Sequence, residues 1–423
     1  MTSEYLKIAE QVGKYKKVQN LMRHINNETL YQQHKSQLKK KSPGIDGVTK
    51  TEYSINIKNN LEDLVGRMKG FSYKPQPVKR VYIPKTASDK LRPLGIPSYE
   101  DKLVQGVMAN ILTVIYEPKF LKISYGFRPK RSCHQAVLDL DNKIMRESMN
   151  CIVDADIKSF FDNVNHDWLI KFLEHDIDDK NFIRYIKRFL KSGIMEQGKF
   201  IESDKGTPQG GLISPILANI YLHHVLDLWF KIVVQKNCYY TSMVRYADDF
   251  VCCFSKESEA KRFLVMLKER LNKFGLELAE DKTKIIKFGR FQKQSKETFD
   301  FLGFTHINGI TRRGKYKVIH HTSSKKLKAK MQSIKVWLNE HRHEKPTEII
   351  TKLNVKLSGH YRYYGISDNH NKLRRYRSYC IRQLYIALNR RSQKKLSWEK
   401  YLKILEYNPL AEPKIYISTW QSK

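Results

Sequence analysis

The fold is decided by the stretch MVRYADDFVCCF, residues 243–254. Residues that favour β-strands lie on both sides of two consecutive aspartates, which predicts a strand–turn–strand hairpin with Asp248 and Asp249 at its tip. Two adjacent carboxylates between apolar strands are costly unless a cation compensates them. Taken alone, the pair is also what an ordinary solvated turn contains.

A second acidic run, CIVDADIKSFFDNV, covers residues 151–164. It begins as a strand and then meets a turn, so Asp156 is predicted to lie near the carboxyl end of that strand. Asp162 is expected to cap the following helix. Asp154 is either a secondary ligand or a polar residue of the strand.

These carboxylates suit divalent metal ions. Mg²⁺ prefers oxygen ligands and keeps waters and substrate phosphates in its shell, so a few carboxylates suffice. Two such ions about 3.5–4 Å apart lower the pKa of an attacking hydroxyl and stabilise the leaving oxygens of an in-line displacement. Nucleotidyl transfer is a displacement of this kind. We therefore predict that Asp156, Asp248 and Asp249 hold two Mg²⁺ ions, for which Mn²⁺ is a possible substitute.

The net charge of the chain is +35 over 423 residues. Such an excess carries self-repulsion, which a polyanionic partner relieves, and nucleic acid is the expected partner. The alternative is a protein that is merely basic. Residues 311–423 hold 27 lysines and arginines against 7 acidic residues, which is more than half of the net charge. The helical periodicity of these residues predicts a separate helical module, and their positive charge predicts that the module binds nucleic acid.

The remaining sequence divides by pattern. Residues 1–40 are polar and basic, and their scattered apolar positions suggest short helices. Residues 73–98 alternate basic, apolar and proline residues, which predicts β-structure at a sheet edge or at strand ends. Helical periodicity follows in residues 99–120, and between 150 and 305 short β-rich runs alternate with amphipathic helices.

The six cysteines show no CxxC spacing, which indicates a reduced protein without a zinc knuckle. The first residues lack the apolar core of a secretion signal. No apolar run approaches the ~20 residues that cross a bilayer. We therefore expect a cytoplasmic protein with no membrane partner.

Four motifs, taken together and in this order, resemble those of reverse transcriptases. They are DIKSFFD (156–162), GTPQGGLISP (206–215), YADD (246–249) and FLGF (301–304). In that family the first and third bind metal, the second lies against the incoming nucleotide and template, and the fourth joins palm to thumb. The resemblance implies an α+β right-hand polymerase fold over roughly residues 40–305.

A finer resemblance is to group II intron reverse transcriptase/maturases of the bacterial type. SPGIDG (42–47), SYGFRP (124–129) and GHYRYYG (359–365) resemble segments of that family. Many members end in a Cys/His-rich endonuclease, but here only Cys380 lies beyond Cys253. We therefore expect no such nuclease, and a primer supplied by something else.

The resemblance also implies roles for single residues. Phe161, five residues after Asp156, falls at the position that excludes a ribose 2′-OH, with a core aromatic as the alternative. Gln209 and Gly210 would shape the nucleotide pocket. Lys85 and Arg92 are assigned to the triphosphate, with the neighbouring Lys79, Arg80 and Lys90 as alternatives. Lys282, with Lys284 as a rival, is assigned as the acid that protonates pyrophosphate, the alternative being a surface lysine. Ile157 is assigned with the metal ligands.

In the basic module, residues 372–391 place apolar side chains at helical spacing and arginines elsewhere around the helix. Tyrosines in GHYRYYG can stack on bases, but two of the three are expected in the core. The residues predicted to bind nucleic acid are Arg128, Arg362, Arg374, Arg375 and Arg377.

The complete expectation has three domains: an N-terminal basic extension (1–65), fingers and palm (66–305), and a helical thumb/maturase domain (306–423). The chain would extend a DNA or RNA primer with dNTPs on an intron RNA template, and assist splicing and mobility of that intron. Two alternatives stay open: a stand-alone reverse transcriptase in a role such as phage defence, and a non-catalytic RNA-binding splicing cofactor.

Overall fold

The structure is a computed structural model of the chain. It describes residues 3–84, 91–202, 204–207, 210–391 and 393–419. Lys85 and Gln209 lie outside the described residues.

The N-terminal region is helical and leads into a β-hairpin and a long buried helix. Two capping boxes define helix starts here, because the side chains of Asn26 and Thr49 each accept a hydrogen bond from the third residue of the helix that follows. The elements are α1 (Ser3–Lys14), a 3₁₀ turn (Leu21–His24), α2 (Asn27–Ser36), α3 (Lys50–Ile55), α4 (Ile57–Lys69), β1 (Val78–Pro84), β2 (Leu91–Ile96) and α5 (Tyr99–Tyr116).

The central region alternates strands and helices, as its sequence pattern predicts. Its elements are α6 (Cys133–Arg146), β3 (Cys151–Ala155), α7 (Phe160–Asn163), α8 (His166–Asp176), α9 (Lys180–Leu190), β4 (Ile194–Glu196), β5 (Lys199–Ile201), α10 (Ser214–Leu222), two π-helical segments (His223–Asp227 and Phe230–Val234), α11 (Gln235–Asn237), β6 (Thr241–Tyr246), β7 (Asp249–Phe254), α12 (Glu257–Lys273) and β8 (Lys284–Lys287). Helix α8 is capped by Asn165, whose side chain accepts from Trp168 N–H, so the cap predicted at Asp162 is wrong.

The C-terminal region begins with a small sheet and continues as four helices. Its elements are β9 (Thr298–Phe301), β10 (Phe304–Ile310), β11 (Tyr316–Thr322), α13 (Ser324–Glu340), α14 (Pro346–Tyr364), α15 (His370–Asn389) and α16 (Trp398–Tyr407). Strand β10 lies between β9 and β11 in an antiparallel sheet.

The described residues form two further β-sheets, an outer sheet and a central sheet. The outer one has the order β2-β1-β4-β5, and Pro93 lies in its edge strand β2, the kind of strand that tolerates proline. The central sheet has the order β6-β7-β3-β8, and all its pairings are antiparallel.

Both faces of the central sheet are covered. Along β7, Phe250, Cys252 and Phe254 enter a core shared with α5, α8, α9, α10 and α12. The intervening Val251 and Cys253 enter a second core, shared with α6 and the β9–β11 sheet. A strand buried on both faces reads as an unbroken apolar run, which explains the sequence FVCCF.

The basic C-terminal module packs around its own core. The apolar stripe predicted on α15 is confirmed: Leu373, Tyr376, Cys380, Leu384 and Leu388 are all buried. Because that stripe faces α13, α14 and α16, the arginines of α15 are displaced toward the outer surface.

One helical stretch, Ser214–Asn237, is long and apolar enough by length and composition to cross a membrane. The expectation that no apolar run reaches that length is therefore wrong. In the most apolar 18-residue part of this stretch, 72% is buried inside the protein, as in the core helix of a folded domain.

Candidate active site

The turn between β6 and β7 carries two of the predicted metal ligands. Tyr246 pairs with Asp249, so Ala247 and Asp248 form a two-residue hairpin turn. Ala247 has φ of 58°, in the left-handed region that a residue with a Cβ seldom adopts. Such a conformation persists only when the surrounding structure holds it.

Gly126 supports this turn from behind. Ser124 forms a parallel bridge with Arg245, and the N–H of Tyr125 donates to the Arg245 carbonyl oxygen over 2.8 Å. A Cβ at Gly126 would lie 2.2 Å from the Ala247 nitrogen. Only glycine allows the two backbones to approach so closely, which gives a physical reason for the glycine in SYGFRP.

A buried ion pair holds the turn from the other side. Arg245 and Asp227 are both fully buried, with Nε to Oδ1 at 2.7 Å and Nη2 to Oδ2 at 2.5 Å. The same guanidinium donates to the Ala247 carbonyl oxygen at 2.9 Å and to Asn219 Oδ1 at 3.1 Å. This buried ion pair was not predicted from the sequence. An arginine inside an apolar strand nevertheless indicates that the guanidinium has a buried partner.

The third predicted ligand, Asp156, follows β3 directly. Because Ala155 pairs with Phe250, Asp156 and Asp249 extend from adjacent strands at the same edge of the sheet. Ile157 bridges Leu278 through the Asp156 carbonyl and the Lys158 N–H, which leaves the Ile157 carbonyl out of the bridge hydrogen bonds. Lys282 Nζ donates to Asp156 Oδ2 at 2.5 Å, so the predicted proton donor lies at this site.

The carboxylates at this edge repel one another. Burial, followed by the nearby charges of Asp154, Asp248 and Asp156, raises the pKa of Asp249 to about 7. Burial and Asp156 raise the pKa of Asp154 to about 6. Burial raises the pKa of Asp248 as well, while the positive charge of Arg92 lowers it. Oxygen ligands held together against their own repulsion fit a divalent cation, which would reverse these shifts.

This repulsion predicts a pH-dependent stability in the absence of divalent ions. Between pH 4 and 7 the Asp249 carboxyl ionises in the unfolded chain but stays protonated in the folded one, so rising pH favours unfolding. We expect Asp249→Asn in chelator to raise the melting temperature more at pH 8 than at pH 5. Thermal unfolding of both proteins at each pH measures the difference. An equal gain at both pH values would contradict the assignment.

The β9–β10 turn connects the active site to the helical module. Leu302 and Gly303 form this turn, with φ of 51° and 81°. The backbone N–H of Leu302 lowers the pKa of Asp249, although burial has the larger and opposite effect. The Leu302 carbonyl accepts from Tyr363 Oη at 2.9 Å. Tyr363 also stacks on Phe304, with ring centroids 5.8 Å apart.

A cavity of about 470 Å³ lies beside the outer sheet and is lined by residues of that sheet and of α7. Phe161 lines it together with Gly95 and Thr207, and the N–H of Thr207 donates to the Phe161 carbonyl oxygen at 2.7 Å. A Cβ at Gly210 would lie 2.4 Å from the Gly95 carbonyl oxygen, so the loop before α10 contacts β2 directly. The predictions for Lys85 and Gln209 fall outside the described residues.

Two of the arginines predicted to bind nucleic acid are used inside the protein. Arg128 is buried, and its guanidinium donates to the Glu117 carboxylate and to the carbonyl oxygens of Leu121 and Ser124. Arg377 donates to two backbone carbonyls and forms an ion pair with Glu412. These two predictions are corrected, because both side chains hold loops against helices.

The other three predicted arginines, Arg362, Arg374 and Arg375, are exposed on α14 and α15. Of the three tyrosines in the same motif, Tyr361 is buried, Tyr364 is half-buried and Tyr363 is 36% exposed. The exposed arginines therefore remain the candidates for phosphate contacts.

Comparison with known proteins bears directly on this site. The family model for reverse transcriptase (RNA-dependent DNA polymerase) matches residues 83–306, which include all three aspartates. The chain is 32% identical over 400 residues to the group II intron-encoded protein LtrA of Lactococcus lactis subsp. cremoris, covering 74% of this chain and 64% of that protein.

Two further relatives extend the comparison. Protein YkfC of Escherichia coli K12 is 33% identical over 316 residues, covering 66% of this chain and 79% of YkfC. The nuclear intron maturase 4, mitochondrial, of Arabidopsis thaliana is 30% identical over 158 residues, covering 35% of this chain and 19% of that protein. The chain thus spans less than two thirds of the length of LtrA.

Proposed function

This chain belongs to the reverse transcriptase family, whose model covers more than half of its length, and from that premise we propose that it is an RNA-directed DNA polymerase. It extends the 3′-OH of a primer with dNTPs on an RNA template and releases pyrophosphate. The family uses divalent metal ions, and the right-hand polymerase fold of the family agrees with the mixed helices and antiparallel sheets observed here.

One observation carries the proposal. Asp156 and Asp249 extend from adjacent strands at one edge of the central sheet, and Asp248 is in the turn beside them. These three carboxylates, with the Ile157 carbonyl, would hold two Mg²⁺ ions. When bound, the ions supply activation of the 3′-OH and neutralisation of the charge that develops on the phosphates.

Two basic residues, Arg92 and Lys282, interact with these carboxylates and have roles in the proposed reaction. Arg92, whose positive charge lowers the pKa of Asp248, would bind the triphosphate. Asp156 raises the pKa of Lys282 through the hydrogen bond between them. A lysine that stays protonated beside the reacting phosphates can donate a proton to the departing pyrophosphate.

The helical module gives the RNA partner a binding surface. Most of the net charge lies in residues 311–423, and Arg362, Arg374 and Arg375 point outward from α14 and α15. Relatives named as a group II intron-encoded protein and an intron maturase support a group II intron RNA as the structure recognised, and splicing of that intron as a second role.

Primer extension on an RNA template tests the proposal. With Mg²⁺ and dNTPs we expect extension to the template end, and with excess chelator none. A template-dependent product with rNTPs at the same rate would contradict a DNA polymerase.

The variant Phe161→Ala tests how the protein selects dNTPs over rNTPs. Because the ring lines the cavity beside the outer sheet, where the sugar of the incoming nucleotide would bind, its removal is expected to raise the incorporation of rNTPs relative to dNTPs by roughly 10-fold or more, with dNTP extension largely kept. The matched control is Phe291→Ala, which removes an aromatic ring that is 59% exposed and does not line that cavity. An unchanged rNTP-to-dNTP ratio in Phe161→Ala would show that the ring is only a packing residue.

A further inference from the structure

Three side chains with metal-binding atoms meet inside the protein, away from the catalytic aspartates. Asp141 comes from α6, His306 from β10 and His320 from β11, and each is buried. Their ligand atoms all lie within 4.8 Å of one another. We propose that this Asp141–His306–His320 cluster is a structural zinc site that joins the palm to the base of the helical module.

The backbone brings the three groups together. His306 and His320 are direct partners across the antiparallel β10–β11 pair, so their side chains project from the same face of the sheet. Their ring centroids are 4.8 Å apart. Helix α6 packs on that face, and His320 Nε2 lies 3.0 Å from Asp141 Oδ1. A ligand from the helix and two from the sheet therefore converge on one point.

The cluster leaves polar atoms without protein partners among the described residues. These atoms are both ring nitrogens of His306, Nδ1 of His320 and Oδ2 of Asp141. The carbonyls of Phe299 and Phe304 favour the protonated form of His306, but neither completes a hydrogen bond of normal geometry. Each polar group buried without a partner destabilises the folded state. One cation bound by all three side chains would satisfy several of these atoms at once.

Few protein groups around His306 can satisfy these atoms. Phe299 stacks on His306 with ring centroids 4.6 Å apart, and the neighbouring side chains of this core are apolar. Burial lowers the pKa of His306 well below its ordinary value. A neutral imidazole has a lone pair that can bind a metal.

The types of ligand atom in the cluster favour zinc over magnesium. Two imidazoles and one carboxylate form a nitrogen and oxygen set that zinc accepts, with a water as fourth ligand. Magnesium, which prefers an octahedron of oxygen atoms, is a poor match for this set. The cluster therefore differs chemically from the aspartates at the strand edge, and the two sites are separable by experiment.

Metal content and optical spectra of the full chain test the proposal. The protein is stripped of metal with chelator, incubated with Zn²⁺, passed through a desalting column and assayed by mass spectrometry. We expect zinc to be retained at one ion per chain in wild type and in Asp248→Asn, in which the catalytic site is impaired. Co²⁺ in place of Zn²⁺ should give the intense visible absorption of a four-coordinate ion.

Single substitutions locate the ion. His306→Gln and His320→Gln are expected to weaken zinc binding by roughly 100-fold or more, because each removes a direct ligand. His343→Gln, an exposed histidine, is the matched control and should leave binding unchanged. Wild-type protein that retains no zinc, or a six-coordinate Co²⁺ spectrum, would overturn the proposal even if the cluster variants fail to fold. The cluster would then be a hydrogen-bonded Asp–His pair beside a neutral histidine.

Discussion

Asp248→Asn is expected to lower the rate of primer extension by roughly 10³-fold or more, while RNA binding stays near the wild-type level. The change keeps the size of the side chain but removes a negative charge from the metal site, and several kcal/mol of transition-state stabilisation go with it. Single-turnover extension with saturating dNTP and Mg²⁺ measures the effect. Filter binding of the same RNA measures the retained affinity.

The control for this variant is Asp167→Asn, which removes an exposed carboxylate at the start of α8. It should extend primers at the wild-type rate. The folded state of Asp248→Asn should be at least as stable as wild type in chelator, because burial and Asp156 both disfavour the charge that is removed. Incorporation of dNTPs that survives in Asp248→Asn would contradict the site assignment.

Asp227→Ala is expected to lower the free energy of unfolding of the palm by about 3–5 kcal/mol. The change leaves the Arg245 guanidinium fully buried without its carboxylate partner. Because the same guanidinium donates to the Ala247 carbonyl oxygen, the turn that carries Asp248 should loosen as well. Denaturant unfolding gives the stability, and hydrogen exchange of the β6 and β7 amides reports the loosening.

A surface ion pair provides the comparison. Lys158 and Glu277 are paired with both side chains about two thirds exposed, so Glu277→Ala should cost less than about 1 kcal/mol. The double change Asp227→Leu with Arg245→Met removes both buried charges and should recover part of the loss. If Asp227→Ala were no more destabilising than Glu277→Ala, the pair would not hold the turn.

Local patterns predicted the parts of the fold that depend on neighbours in sequence. The β6–β7 hairpin follows from apolar runs around two aspartates, and the stripe on α15 follows from its 3.6-residue period. The placement of Asp156 beside Asp249 needed the family resemblance, because strand order in a sheet is a long-range property. The structure then supplied the register that relates them.

Arginines were predicted less well, because their role depends on what else is near them in space. The sequence does not distinguish an arginine that contacts phosphate from one that fastens a loop, and Arg128 and Arg377 are of the second kind. The partner of Arg245 is 18 residues upstream in a π-helical segment, which shifts Asp227 out of the usual helical phase. The metal-binding geometry of His306 and His320 likewise depends on a strand pairing and not on spacing.

The backbone amide of Leu302 lies between the active-site carboxylate of Asp249 and the C-terminal helices. Its N–H lowers the pKa of Asp249, and its carbonyl oxygen accepts a hydrogen bond from Tyr363 at the end of α14, so one planar amide faces both groups. A displacement of Tyr363 relative to the central sheet would reorient this amide and change how strongly it stabilises the ionised form of Asp249. The electrostatics of this carboxylate would then depend on the position of α14.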